Sequence, residues 1–288
     1  MSLLDLPAFA SSAPILREAA LKLRTSPSSV TILGQLSEVN IITSAILEGA
    51  MLDAGIPYQR RLRDDVTTPK GPFIHIQQEN QSSPPPVNKN PLSVTLCPVD
   101  VDALVSSTGD VHRGVLSTVA LAGALAESIS PQGEITTLVR PWILAGNWLS
   151  DALEHTYDPV YTVLRDYLSQ SNAINVVPLP EVPDSDPRTL PGVDAVAVCA
   201  IRDRWGKLDL EGRAQALSHL LKPILVSDLP STARFEELGW HRIMSTGWEK
   251  DLASQLIDFT EKWRDDVANR KRYASLSIDN LLRQGKLA

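Results

Sequence analysis

Residues 30–58 constrain the fold more than any other stretch. They read Val-Thr-Ile-Leu-Gly, a polar turn Gln-Leu-Ser-Glu, an apolar run from Val39 to Ala54, then Gly-Ile-Pro-Tyr. The first four residues are a short β-branched strand. The run after the turn is apolar nearly all round, so it predicts a helix buried against a sheet. Gly55 is a natural helix stop, and Tyr58–Leu62 predicts the next strand. A strand, a helix and a second strand in so short a span form a parallel crossover unit, which commits the chain to an α/β class.

The flanking sequence extends that pattern. Residues 12–25 predict a helix opened by Ser-Ala-Pro. Phe73–Gln77 alternates and predicts a third strand, and Leu92–Leu96 a fourth, with a polar, proline-rich loop over 78–91 between them. From Arg113 the pattern turns helical. Gly114–Ser128 is rich in small residues, and 136–170 carries Trp142, Trp148, Tyr157, Tyr161 and Tyr167 at helical spacing, which predicts core packing. Asn172–Leu179 predicts a strand running into the proline-rich linker 178–187, and Val193–Ile201 is apolar enough for a central strand. A helix over 211–221, a strand over 223–226, a helix over 231–238 and a strand over 240–245 follow. A long amphipathic helix over 249–271 and a shorter one over 278–283 close the pattern. The expected architecture is a mostly parallel sheet domain flanked by helices (1–128), a helical connector (129–171) and a second, smaller α/β domain ending in a long helix (172–288).

Composition narrows the function. A net charge of −7 argues against non-specific coating of nucleic acid. Cys97 and Cys199, the only cysteines, match no metal spacing and predict reduced thiols. No segment is long and apolar enough to span a membrane, and the first residues lack the basic and apolar regions of a secretory signal. A cytoplasmic location is therefore expected.

The strand–turn–helix at 30–54 resembles the first motif of the DHH phosphoesterase superfamily, nearest to the RecJ-like nucleases and their archaeal and eukaryotic replication relatives. In that family the turn reads Ser-His-x-Asp-x-Asp-Gly before an Ala-rich helix and Gly-Ile-Pro. Aligned on Ser44-Ala45-Ile46-Leu47 and Ala54-Gly55-Ile56-Pro57, the family histidine falls on Gln35, its aspartates on Ser37 and Val39, and its glycine on Asn40. Paired Mn²⁺ or Mg²⁺ ions need carboxylate and imidazole ligands. Gln35 and Ser37 are poor substitutes, and Val39 cannot ligate. The family's Asp-His-His motif is absent, since no two histidines are adjacent. Asp100 and Asp102, after the fourth strand, fall about where the family places another metal-binding aspartate. Their alternative roles are loop solubility and helix capping. His75, on the third strand, is the remaining acid/base candidate beside His112. The family's C-terminal Gly-Gly-His loop, which grips phosphate, has a loose echo in Gly239-Trp240-His241-Arg242-Ile243-Met244-Ser245-Thr246-Gly247. His241, Arg242 and Gly247 are its candidate phosphate or nucleic-acid contacts, although Trp240 stands where a glycine is wanted. The basic cluster Arg270-Lys271-Arg272 is explained by its place near a helix end.

The resemblance implies a catalytically inactive scaffold or accessory subunit in DNA replication or repair, with GINS- or MCM-type protein partners, single-stranded DNA as a further candidate ligand, and no cofactor. The alternative is a divergent Mn²⁺- or Mg²⁺-dependent phosphoesterase or single-strand exonuclease using Asp100, Asp102, His75 or His112.

Overall fold

The computed structural model describes residues 2–26, 28–63, 67–105, 109–150, 152–153, 157–225 and 231–287. Helix α1 (Ala13–Arg24), with Pro14 in its first turn, leads into strand β1 (Val30–Gly34), helix α2 (Glu38–Asp53) and strand β2 (Tyr58–Leu62). Strands β3 (Phe73–Ile76), β4 (Asn88–Lys89) and β5 (Leu92–Leu96) complete a five-stranded sheet of order β2-β1-β3-β5-β4. Strands β2, β1, β3 and β5 run parallel, and β4 is an antiparallel edge. The protein is thus α/β with a mixed, mostly parallel sheet flanked by helices. The loop expected over 78–91 contributes that edge, because Asn88 and Lys89 pair back onto Ser93 and Leu92.

Register sorts the sheet into two faces. Ile32, Ile74 and Val94 form one row and join the main core, while Arg61, Leu33, His75 and Thr95 form the next row on the opposite face. Helix α2 covers the first face, and every residue from Asn40 to Met51 is buried. Its one interior carboxylate, Glu48, is satisfied by Ser44 Oγ and by a bidentate pair from Arg60 on β2, all at 2.6 Å. A wholly buried charge is tolerable only with such partners.

The chain continues as an antiparallel hairpin, β6 (Val99–Val105) and β7 (Val111–Leu116), then helices α3 (Thr118–Ile129), α4 (Glu134–Val139), α5 (Ala145–Leu149) and α6 (Pro159–Gln170). The helix expected from Gly114 starts later. Gly114 pairs with Val101 in the hairpin, and Ser117 caps α3 by accepting from Ala120 N. Of the aromatic residues expected in the core, Trp142, Tyr161 and Tyr167 are buried, Trp148 is half-buried and Tyr157 is exposed.

Strand β8 (Asn175–Val177) is shorter than expected, because Asn172 takes a left-handed turn at φ +55°. Helices α7 (Ala195–Trp205), α8 (Leu210–Leu225) and α9 (Thr232–Gly239) precede strand β9 (Arg242–Met244), which pairs antiparallel with β8. The central strand expected over 193–201 is therefore helix α7. Asp194 caps it through Val196 N, and Val198, Ile201 and Trp205 bury one helical face. The strand expected over 223–226 is instead the end of α8 as far as Leu225, and Val226 lies outside the described residues. The single long helix expected over 249–271 is two, α10 (Leu252–Asp265) and α11 (Arg270–Gln284). Asp266 leaves helical geometry between them (φ −111°, ψ 64°).

The three segments expected from the sequence share one apolar core, which runs from Leu3 to Leu281. Helix α11 returns to lie on α2. Trp142 Nε1 and Trp248 Nε1 both donate to Gly285 O at 2.9 Å, which fastens the chain end to the α3–α5 layer and to the turn before α10. A smaller apolar cluster joins Leu190, Val198, Ile201, Trp205, Leu217 and Leu238. Among the described residues the C-terminal segment contributes only β8 and β9 as strands.

Candidate functional site

Strand order reverses at β1. The chain leaves β1 through α2 to reach β2 on one side, and β3 lies on the other. In open α/β sheets the crevice at such a point, outside the carboxyl ends of the strands, is where ligands bind. Here it is built from Gly34 at the end of β1, Gln35-Leu36-Ser37 after it, and Gln77-Gln78 after β3.

Hydrogen bonding closes this crevice with neutral groups. Ser37 caps α2, its Oγ accepting from Asn40 N at 3.3 Å. Asn40, 1% exposed, donates through Nδ2 to Gln35 O at 2.9 Å and accepts from Gln78 Nε2 through Oδ1. Thr118 Oγ1 donates to Gln77 O at 3.1 Å. Gly34 packs closely here, since a Cβ there would lie 3.1 Å from Asn40 Nδ2 and 3.3 Å from Ile76 Cβ. The Gln35 side chain is exposed. Val39 packs against the main core, and its carbonyl accepts from Thr43 Oγ1 at 2.7 Å. Both polar ends of Asn40 are thus committed to the fold. Amides and a hydroxyl offer a divalent cation neither charge nor imidazole.

Of the other candidates, Asp100, Asp102 and His112 share the β6–β7 hairpin, and His75 lies on the parallel sheet. Asp100 and Asp102 sit on strand β6, not in a loop or at a helix cap, because the chain re-enters a strand at Val99 directly after Pro98. Both are exposed. Asp100 accepts from Asn80 Nδ2 and Asp102 from Arg113 Nε, each at 2.9 Å. His112 is exposed on β7. His75 is half-buried on β3, its Nδ1 3.2 Å from Gln77 Nε2. Burial pushes its pKa below the ordinary value of 6.5, so the neutral imidazole is favoured. Among the described residues no three His, Cys, Asp or Glu side chains gather as a metal-holding group.

Of the phosphate-loop candidates, Arg242 serves the interior. Arg242 is 1% exposed, and its guanidinium donates to Leu238 O at 2.5 Å, Asp251 Oδ1 at 3.1 Å and Thr189 Oγ1 at 2.9 Å. Asp251, fully buried, also caps α10 through Ala253 N and Ser254 N. Arg242 is therefore an internal strut. His241 Nδ1 lies 3.3 Å from Glu237 Oε1 and from Arg165 Nη1, so its ring is held against an existing ion pair. Gly247 makes a left-handed turn at φ +76°, and a Cβ there would meet nothing within 4 Å. The left-handed backbone favours this glycine.

One feature escaped the sequence. Beside the N-terminus of α2 lies a cavity of about 390 Å³ lined by Glu38, Trp148, Thr189, Arg234, Thr260 and Arg264. Arg234 stacks over Trp148, 5.5 Å from the ring centroid. Burial raises the Glu38 pKa, and Arg264 and Arg270 oppose that rise. These residues come from segments far apart in the chain, so no local pattern announces them. The basic cluster near 270 turns inward in part: Arg270 Nε donates to Trp263 O at 2.9 Å and its guanidinium stacks over that indole. Among the described residues no helix is long and apolar enough to cross a membrane. No protein-family model matches the chain, and no curated protein matches it.

Proposed function

We propose that this chain is a non-catalytic α/β protein that works by holding partners, in the manner of an inactive RecJ-like member of the DHH superfamily. By that resemblance it acts as a cytoplasmic scaffold or accessory subunit in DNA replication or repair, with GINS- or MCM-type partners. The observation that supports the reading is the amide-closed crevice, where Asn40 spends both its donor and its acceptor on Gln35 and Gln78. A site for hydrolysis at this position would need anionic or imidazole groups converging on it. The carboxylates that the resemblance offers as metal ligands, Asp100 and Asp102, are instead engaged by Asn80 and Arg113 on an exposed hairpin.

The test joins a calorimetric Mn²⁺ titration with incubation of the chain and labelled single-stranded DNA in Mn²⁺. The expected result is no metal binding at the crevice and intact DNA. Degradation of the DNA that Asp100→Ala abolishes would overturn the proposal and establish the phosphoesterase alternative.

A further inference from the structure

A groove of about 720 Å³ lies between α1, the C-terminal end of α3, α4 and α6, and it shares no lining residue with the crevice. We propose that it docks an acidic peptide segment carrying an apolar side chain.

Helix α1 buries Leu16, Ala19, Ala20 and Leu23 and turns Arg17, Leu21 and Arg24 outward. Spacings of four and three put those three on one stripe. Leu21 is 66% exposed, an isolated apolar surface between two guanidinium groups. Arg140 lines the groove from the start of the 3₁₀ turn after α4.

The charges in the groove are unequally satisfied. Its two carboxylates are already used: Asp5 accepts from Arg17 at 2.9 Å and from Ser2 N at 2.8 Å, while Glu127 accepts from Leu3 N at 3.0 Å and Tyr167 Oη at 2.9 Å. Among the described residues Arg24 forms no ion pair, and Arg140 donates only to the carbonyl of Pro131, at 3.3 Å. The groove therefore offers cationic groups without carboxylate partners around an exposed leucine, on a chain whose net charge is −7. Carboxylates with an apolar neighbour complement both features. A nucleic-acid strand is the poorer match, because Tyr167 is buried and offers no face for a base to stack on.

This inference rests on the proposed binding role for its partner being a protein, yet the two fail separately. The experiment is fluorescence anisotropy of the full chain with a short labelled peptide of Asp and Glu around a central Leu pair. Its controls are the same peptide with Asn and Gln, and an oligothymidylate of matched length. The acidic peptide is expected to bind and the amide peptide not to. Arg24→Glu and Leu21→Asp, both on the exposed stripe, are expected each to weaken binding by about tenfold, about 1.4 kcal/mol, with thermal unfolding unchanged. Raised salt is expected to weaken binding further. No binding of the acidic peptide, equal binding of the amide peptide, or indifference to Arg24→Glu would overturn the groove and leave the crevice reading standing. Oligothymidylate binding that the same substitutions weaken would assign the groove to nucleic acid instead. Metal-dependent DNA degradation would end the non-catalytic reading and leave the groove intact.

Discussion

Arg242 and Asp251 are both wholly buried, and neither charge can stand alone in the interior. Removing the cation leaves a carboxylate without its counter-ion, although Ala253 N, Ser254 N and Ser254 Oγ still donate to it. Breaking one side of a buried pair costs about 3–5 kcal/mol, far more than the net worth of the pair. Arg242→Met is therefore expected to lower the urea unfolding free energy by about that amount, and the Arg242→Met, Asp251→Leu double variant to lose less than the sum of the singles. Additive losses would show that the two side chains do not act as a unit. His75 makes a prediction of the opposite kind, small and pH-dependent. Burial depresses its folded pKa, so below the ordinary value the unfolded chain takes up a proton that the folded chain resists. Stability contributed by the neutral ring is present above that value and is lost as pH falls through the folded pKa. Urea unfolding of the protein and of His75→Gln between about pH 7 and pH 5 should show a gap in stability that shifts against the parent as pH falls. A gap that stays constant would remove His75 as the cause.

At the scale of elements, legibility followed locality. Strand β1, helix α2 and strands β2, β3 and β5 lie within a residue or so of their expected places, because each announces itself within its own window. The β-branched run at Val30, the all-round apolar helix and the stop at Gly55 need no distant partner to be read. Helix α7 differs from its expected strand for the opposite reason. The run from Val193 to Ile201 is too short and too uniformly apolar for periodicity to decide. Its cap at Asp194 and the burial of Val198, Ile201 and Trp205 against α8 and the 179–190 segment settle the matter only in three dimensions. The hairpin that takes Gly114 out of its expected helix depends likewise on register with β6. The same division holds for the site. The ligand-poor turn at Gln35, Ser37 and Val39 is visible in the chain, whereas the network that closes it joins Asn40 to Gln78, 38 residues away. Arg242, read as a surface contact, needed partners from Thr189 and Asp251 before its burial could be known.

For the molecule as a whole, the decisive contact is between its first helix after the opening strand and its last helix. Helix α11 buries Ala274, Ser277, Ile278 and Leu281, and Gly285 O beyond it accepts both indole N–H groups. Full burial of an aliphatic side chain such as Ile278 or Leu281 contributes about 1.5–3 kcal/mol. Each orphaned buried indole donor adds a penalty of about 1–3 kcal/mol. Those losses together match the whole stability of an ordinary domain, about 5–15 kcal/mol. A chain ending at Asn269 would also uncover α2, which is buried on every side in the intact protein. Residues 1–269 are therefore expected to lose cooperative thermal unfolding by circular dichroism and to bind a hydrophobic dye, although α11 lies outside the parallel sheet. A synthetic peptide of residues 270–288 added in trans should restore the cooperative transition, because it supplies the same apolar face and the same carbonyl. If the truncated chain instead melts sharply at the parent temperature, α11 and its contacts with α2 carry little of the stability.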